Sequence, residues 1–239
     1  ASRIEEALIK HPEAKAVLIT SPNYYGVCSD IEKISEIVHA HGKILIVDEA
    51  HGAHLAFMDK IAPSRGDIKN QHSKAQKLAA EASGADIAIL STHKTLASFT
   101  QTAILLVCSD RVDVDTIANN LQILQSSSPS YILMASLDLN ARIIEEYGDA
   151  LFKEWQADLD YAYEELRKIQ GLELLEMELL DRTKLVFGLR EIGISGYELD
   201  ALLRERGIFC ELSLVGEVAQ DLRQRGSGTH AGDHRVDDF

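Results

Sequence analysis

Ile44-Leu45-Ile46-Val47-Asp48-Glu49-Ala50-His51-Gly52-Ala53-His54 decides the fold of this chain. Its first four residues are apolar without alternation and too few for a helix, so they read as a strand buried on both faces. An aspartate sits at the carboxyl end of that strand. Upstream, Ile31, Ile34, Ile37 and Val38 share one face of a helix that Ser29 and Glu32 are expected to open with a capping box and Gly42 to close. Before it, Ala16 to Thr20 is a β-branched run ending at Ser21-Pro22-Asn23, a strand running into a loop. Strand, helix, strand in this order implies a parallel crossover, normally right-handed. Downstream, Lys74 to Ser83 predicts a second helix closed by Gly84, and Ile87 to Leu90 a third strand. Thr102 to Val107 is apolar again, and the connection from Lys94 is too short for an ordinary crossover helix. That fourth strand is therefore expected to be antiparallel. The fold class is α/β, a doubly wound and mostly parallel sheet.

Further along, Ser126-Ser127-Ser128-Pro129-Ser130 marks a loop. A long amphipathic helix follows, with Leu133, Leu137, Ile144, Leu151, Trp155, Leu159 and Leu166 at helical spacing and a break expected near Gly148. Trp155 and the tyrosines around it read as core packing. Leu172 to Leu175, Lys184 to Leu189 and Ile208 to Leu212 read as strands, and Tyr197 to Arg206 as a helix, together a small α+β module. Beyond Glu217 the apolar periodicity fades. Residues 223–239, rich in Gly, Asp, His and Arg, read as disordered or as foreign sequence from a frameshift or a junction. Three regions result: 1–138, part of a large domain; 139–216, a linker helix and small α+β domain; and 217–239, an irregular tail. The chain opens on Ala1 within a helical segment, as a piece of a longer protein would.

With 239 residues, the chain can bury a sizeable core. Hydrophobic content of 46% against 26% charged residues is ordinary for a soluble protein. Lys and Arg number 24 against 38 Asp and Glu, a net charge of −14 with no basic run. That excludes a nucleic-acid or anionic-membrane partner as the expectation, since lysine and arginine drive both. Apolar stretches such as Ala103 to Cys108 are far too short to cross a bilayer, and no secretory signal is visible. Cys28, Cys108 and Cys210 are odd in number and widely separated, as reduced thiols of a cytoplasmic protein are.

The strand at Ile87 delivers Ser91-Thr92-His93-Lys94 as the strand at Ile44 delivers Asp48. One buried acid and one lysine at neighbouring strand ends are what pyridoxal 5′-phosphate requires. The amine forms a Schiff base, and the carboxylate keeps the pyridine nitrogen protonated so that the ring can accept electrons. The hydroxyl and imidazole before the lysine suit a phosphate. A lone lysine is usually a solvated charge, but a buried strand followed by a hydroxyl- and imidazole-rich turn favours nucleophilic use. Asp48-Glu49-Ala50-His51 is also the acidic box of a helicase family. That reading needs an upstream Gly-x-x-x-x-Gly-Lys-Ser/Thr, and His41-Gly42-Lys43-Ile44 lacks the first glycine and the hydroxyl. His39, His41, His51 and His54 lack the His-Glu-x-x-His spacing and any nearby cysteine, so no metal site is expected.

Taken together these residues resemble the group I (Orn/Lys/Arg) decarboxylases, pyridoxal-phosphate enzymes of fold type I. The resemblance runs through Ser21-Pro22-Asn23-Tyr24-Tyr25-Gly26, Val47 to His54, Gly84-Ala85-Asp86, Ser91 to Gln101, Ser128-Pro129-Ser130-Tyr131 and Ala135-Ser136-Leu137-Asp138. It is weaker at Asp181-Arg182-Thr183-Lys184. It implies the later part of the doubly wound large domain plus part of the small domain. Lys94 would carry the cofactor, Asp48 would pair with its ring nitrogen, the Ala50 methyl would pack under the ring, and His51 would lie near its phenolic oxygen. Ser91 and His93 would bind the phosphate, His93 also facing the scissile carboxylate. The active site would form between two subunits, with Ser127 or Ser128 reaching the partner's phosphate in a homodimer or higher oligomer. The substrate implied is a basic amino acid, and the product an amine such as agmatine, cadaverine or putrescine, a step of polyamine metabolism.

Several departures accompany the resemblance. The family's phosphate loop and ring-stacking histidine would precede Ala1. Asn23 replaces the usual threonine, the stretch between Phe57 and Gly84 carries extra residues, and the family pattern is lost after Leu212. An N-terminally truncated fragment is the expectation, which leaves two alternatives beside an active decarboxylase. One is a non-catalytic remnant of a split gene. The other is a different fold-type-I enzyme such as an aminotransferase or desulfurase, which the Ser-Thr-His-Lys-Thr-Leu block disfavours.

Overall fold

The computed structural model describes residues 1–61 and 77–213. Four strands form one sheet in the order β1 (Ala16–Thr20), β2 (Ile44–Asp48), β3 (Ile87–Leu90) and β4 (Ile104–Val107). The first three are parallel, and β4 runs antiparallel to β3, as the short connection from Lys94 requires. Helix α1 (Ser2–Lys10) precedes β1, and α2 (Ile31–Ala40) makes the crossover to β2. Ile31, Ile34 and Val38 of α2 pack with Leu8 of α1 against Leu45, Val47 and Ala88 of the sheet. Each such side chain taken fully out of water contributes about 1.5–3 kcal/mol, which makes this face the main store of stability in the sheet.

Local sequence explains where these elements stop and start. Gly42 has a φ of +68°, the left-handed conformation that ends α2. The amino end of α2 differs from expectation. Its cap is Asp30, whose side chain accepts from Lys33 N, and Ser29 instead donates its main-chain N–H to Ser21 Oγ. Ser29 is therefore spent on the preceding loop. A short α3 (Leu55–Ile61) follows the turn after β2. Of the helix expected over 74–83, the described part holds only a 3₁₀ turn at Ala80–Ala82, and residues 74–76 lie outside the described residues. Ala80 N is taken by buried Glu49 Oε1 at 3.1 Å, which fixes this segment as a turn beneath β2. Much of the polar stretch before Gly84 likewise lies outside the described residues.

A single turn, α4 (Thr92–Thr95), follows β3. Helix α5 (Val114–Leu124) was not evident as a helix in the sequence; Asp113 caps it by accepting from Thr116 N. Helix α6 (Tyr131–Arg167) is continuous over 37 residues, so the break expected near Gly148 is absent. Trp155 lies in the cluster of Met58, Phe152 and Leu159, as core packing predicts.

The chain divides into two compact units: residues 1–160 with 177–184, and residues 161–176 with 185 onward. The large/small boundary expected at 138/139 falls inside α6. In the second unit, β5 (Glu173–Leu174) pairs antiparallel with β6 (Phe187–Gly188), and Ser195 and Glu198 form a capping box on α7 (Gly196–Arg204). The strand expected at 208–212 is coil: Ile208 N caps the preceding turn by donating to Leu203 O, and no ladder partner follows among the described residues. The 217–239 tail lies outside the described residues.

Candidate active site

Because β1, β2 and β3 are parallel, their carboxyl ends share one edge, the side on which open α/β sheets bind ligands. The register sets Asp48 between Thr20 and Ile89. Main-chain bonds extend the ladders past the strands, from Ser21 N to Asp48 O and from Glu49 N to Ile89 O. Asp48 is half-buried, and its Oδ1 accepts from Ala50 N at 3.0 Å. The acid is thus held by its own turn.

Beyond β3, Lys94 rides on α4, and its Nζ lies 3.2 Å from His51 Nε2. As an ammonium, Lys94 would donate to His51 Nε2, with the ring proton on Nδ1. Tyr24, from the loop after β1, sets its ring edge-on to His51 with centroids 5.2 Å apart. Loops from three adjacent strand ends therefore meet here. His93 Nδ1 donates to Thr102 O at 2.8 Å, which fixes the ring and its tautomer and leaves Nε2 for another partner. The Ser91 side chain makes no capping bond to α4.

The lysine loop is fastened on its other side by buried hydroxyls. Thr92 Oγ1 and Thr102 Oγ1 are 2.9 Å apart, and Thr102 Oγ1 donates to Ser98 Oγ. From α6, Asn140 Oδ1 accepts from Ala97 N and Ser136 Oγ from Phe99 N. Gln101 closes the loop with a φ of +73°, a conformation non-glycine residues adopt only when their surroundings hold them there.

Asp48, Ala50, His51, Ser91, His93 and Lys94 thus occupy two loops at one sheet edge, and Lys94 and His51 touch. Ser127 and Ser128 lie in the exposed turn between α5 and α6, where Ser128 N donates to Ser126 Oγ; no hydrogen bond joins them to the other six among the described residues. Sequence reasoning missed Thr102 and Asn140 as anchors. Asn140 carried a signal, a polar residue on the Leu133, Leu137, Ile144 face of α6, whereas Thr102 stands among other polar residues and carried none. An amine, a strand-end carboxylate, a fixed imidazole and hydroxyls can together hold a ligand carrying an electrophilic carbon, a basic ring nitrogen and an anion.

A profile of the Orn/Lys/Arg decarboxylase major domain matches residues 1–187. The chain belongs to this family. Curated relatives include the arginine decarboxylase of Bacillus subtilis, 32% identical over 209 residues, which cover 84% of this chain and 40% of that protein. The arginine decarboxylase of Halalkalibacterium halodurans is 33% identical with the same coverage. Lysine decarboxylase LdcA of Pseudomonas aeruginosa is 28% identical, over 61% of this chain and 19% of that protein. The chain spans about two fifths of the arginine decarboxylases it matches. Among solved structures, alanine–glyoxylate aminotransferase from Nostoc sp. aligns with a TM-score of 0.64 at 19% identity, over 91% of this chain and 57% of that one. A cysteine desulfurase from Thermococcus onnurineus aligns with a TM-score of 0.57 at 17% identity, over 86% and 51%. The fold is that of the fold-type-I pyridoxal-phosphate enzymes.

Proposed function

We propose that this chain carries the lysine, the ring-nitrogen acid and the phosphate contacts of a pyridoxal 5′-phosphate-dependent decarboxylase acting on arginine, lysine or ornithine. The observation that carries the reading is the 3.2 Å contact of Lys94 Nζ with His51 Nε2, beside Asp48 at the carboxyl edge of the sheet. The donor set fits the cofactor: an amine for its aldehyde, a carboxylate for its ring nitrogen, and an imidazole with hydroxyls for its phosphate. When bound, that cofactor supplies an electron sink for the pair left as carbon dioxide departs.

The residues of the chain do the rest. Lys94 offers the amine, and His51 orients it by accepting its hydrogen on Nε2. Asp48 keeps a proton on the ring nitrogen, with one of its oxygens already occupied by Ala50 N and so fixed in direction. Ala50 supplies a methyl at the same turn to pack under the ring. Ser91 and His93 bind the phosphate; the bond from His93 Nδ1 to Thr102 O holds the imidazole with Nε2 free, and Nε2 donates to phosphate or to the substrate carboxylate when the ring is an imidazolium.

Arginine is the first substrate to test, because several relatives that are 32–33% identical over 84–88% of this chain are named arginine decarboxylases; lysine and ornithine follow. The amine product would feed polyamine synthesis. Free thiols at Cys28, Cys108 and Cys210 support a reducing, cytoplasmic setting, and no helix among the described residues is long and apolar enough to cross a membrane. A homodimer in which Ser127 or Ser128 reaches the partner's phosphate is supported by the exposed apolar side chains on both sides of that turn, Ile123 and Leu124 before it and Tyr131 and Ile132 after it.

The test is borohydride reduction of the full-length protein with bound cofactor, followed by peptide mapping and assay of carbon dioxide release from the three amino acids. Label on Lys94 with release from one of them is the expected result. Label on another lysine refutes the assignment.

A further inference from the structure

His54 lies outside the residues given a cofactor role, yet it closes the turn that carries Asp48, Ala50 and His51. It is fully buried at the end of the turn from β2 to α3, against Trp155. Its Nε2 lies 3.1 Å from Asp181 Oδ1 and 3.2 Å from Thr183 Oγ1. Asp181, 2% exposed, also accepts on Oδ1 from Thr183 N at 3.0 Å and Thr183 Oγ1 at 2.8 Å. Burial pushes the Asp181 carboxyl up, but the hydrogen bond and charge of His54, with the Thr183 bonds, outweigh it and hold the acid below its ordinary range. His54 Nδ1 and Asp181 Oδ2 remain buried without hydrogen-bond partners among the described residues. Such a half-satisfied pair is a poor way to gain stability, since apolar side chains of similar volume often do as well or better.

What the pair does is fasten. The 48–55 turn is pinned at its start by Asp48 and Ala50 N, and in its middle by Gly52 N to Glu49 O and Leu55 N to Gly52 O. Gly52 has no room for a Cβ, which would lie 2.5 Å from Glu49 Cγ and 2.8 Å from Pro22 Cδ. The end of the turn is held by His54 on Asp181. On the far side, Asp181 N donates to Gly26 O, and Val27 bridges Leu180, so the loop bearing Tyr24 is tied to the same segment. His51 stands in the middle of this arrangement, with Tyr24 on one side and Lys94 on the other.

We propose that His54 is a positioning residue: through its clasp with Asp181 and Thr183 it holds the 49–54 turn so that His51 stays against Lys94. This rests on the reading of Lys94 as the cofactor lysine. The experiment uses the full-length protein and the double variant His54→Leu/Asp181→Leu, which replaces the pair with apolar side chains. Three quantities are compared with the parent: the melting temperature, the side-chain nitrogen NMR signals of His51 without cofactor, and the rate of borohydride-fixed cofactor capture at Lys94. The expected result is a folded variant whose His51 ring signals are altered and whose capture is slowed about tenfold or more, as misplaced reacting groups are. A folded variant with parental His51 signals and parental capture overturns the proposal. If the double variant fails to fold, Thr183→Val and Asp181→Asn are read in the same way, and parental His51 signals in both would equally overturn it. Absence of capture in the parent protein would sink the cofactor reading instead, while the His51 signals would still decide whether the clasp positions that ring.

Discussion

Asp48 offers one carboxylate oxygen to Ala50 N and is anchored through its main chain to both neighbouring strands. A charge so fixed does its work without reorganising, so Asp48→Asn should cost about 3 kcal/mol or more of transition-state stabilisation, read as a fall in kcat/KM of the full-length protein. Near-parental turnover would remove Asp48 from its role. At the opposite edge of the sheet, buried Asp86 serves the fold. Burial raises its carboxyl, but Ser109 Oγ, Leu45 N and His39 Nε2 more than compensate, and it lies below the ordinary carboxylate range. A depressed folded value means stability that is present above the unfolded value, about 3.9, and lost as pH falls through the folded one. In Asp86→Asn the urea midpoint should be lower at neutral pH and should fall less steeply on acidification than in the parent. The placement of Asp48 and Lys94 at one edge of the sheet was legible in the sequence, because Asp48 closes one uninterrupted apolar strand and Lys94 follows soon after another. His54 was read only as a histidine near others, since its partner lies 127 positions away and only the folded chain joins them.

Among the elements, every strand of the main sheet was visible, because runs such as Ile87 to Leu90 have no other plausible use. Helix ends were less so. Ser29 and Asp30 are both good caps by type, and the choice between them is made by Ser21 Oγ, which takes Ser29 N. Helix α5 was missed because no side chain of it is buried, so its periodicity has no core to report. The strand read at 208–212 rested on Ile208 and Phe209, strand formers by type, but no strand pairs with it among the described residues. Gly26 illustrates an element that sequence marks only as a turn. Its φ is +82°, and a Cβ there would lie 2.7 Å from Asp181 O, a main-chain atom that cannot swing aside. Gly26→Ala should therefore cost at least about 1–2 kcal/mol from the left-handed conformation alone, measured by urea denaturation. The damage should appear as lost protection of Val27 and Cys28 amides, whose partners lie in 179–181 and the Asn23 turn.

For the molecule as a whole, the α5–α6 turn offers the clearest statement about assembly. Leu124 and Tyr131 are each 82% exposed on either side of the serines. If this surface meets a second copy, the full-length protein should sediment as a dimer at assay concentration, and Leu124→Glu with Tyr131→Glu should shift it toward monomer. An active parent that sediments as a monomer would refute the dimer. The two-unit division has a different implication. The chain passes between the units at 160–161, 176–177 and 184–185, so residues 177–184 belong to the first unit while both of their flanks belong to the second. A graft that exchanged the second unit for that of a relative by cutting once after α6 would carry Asp181 and Thr183 away with it. The hybrid would keep Lys94 and Asp48 and still lose the acid beneath His54. A faithful exchange has to leave 177–184 behind as native sequence and splice the donor on both sides of it.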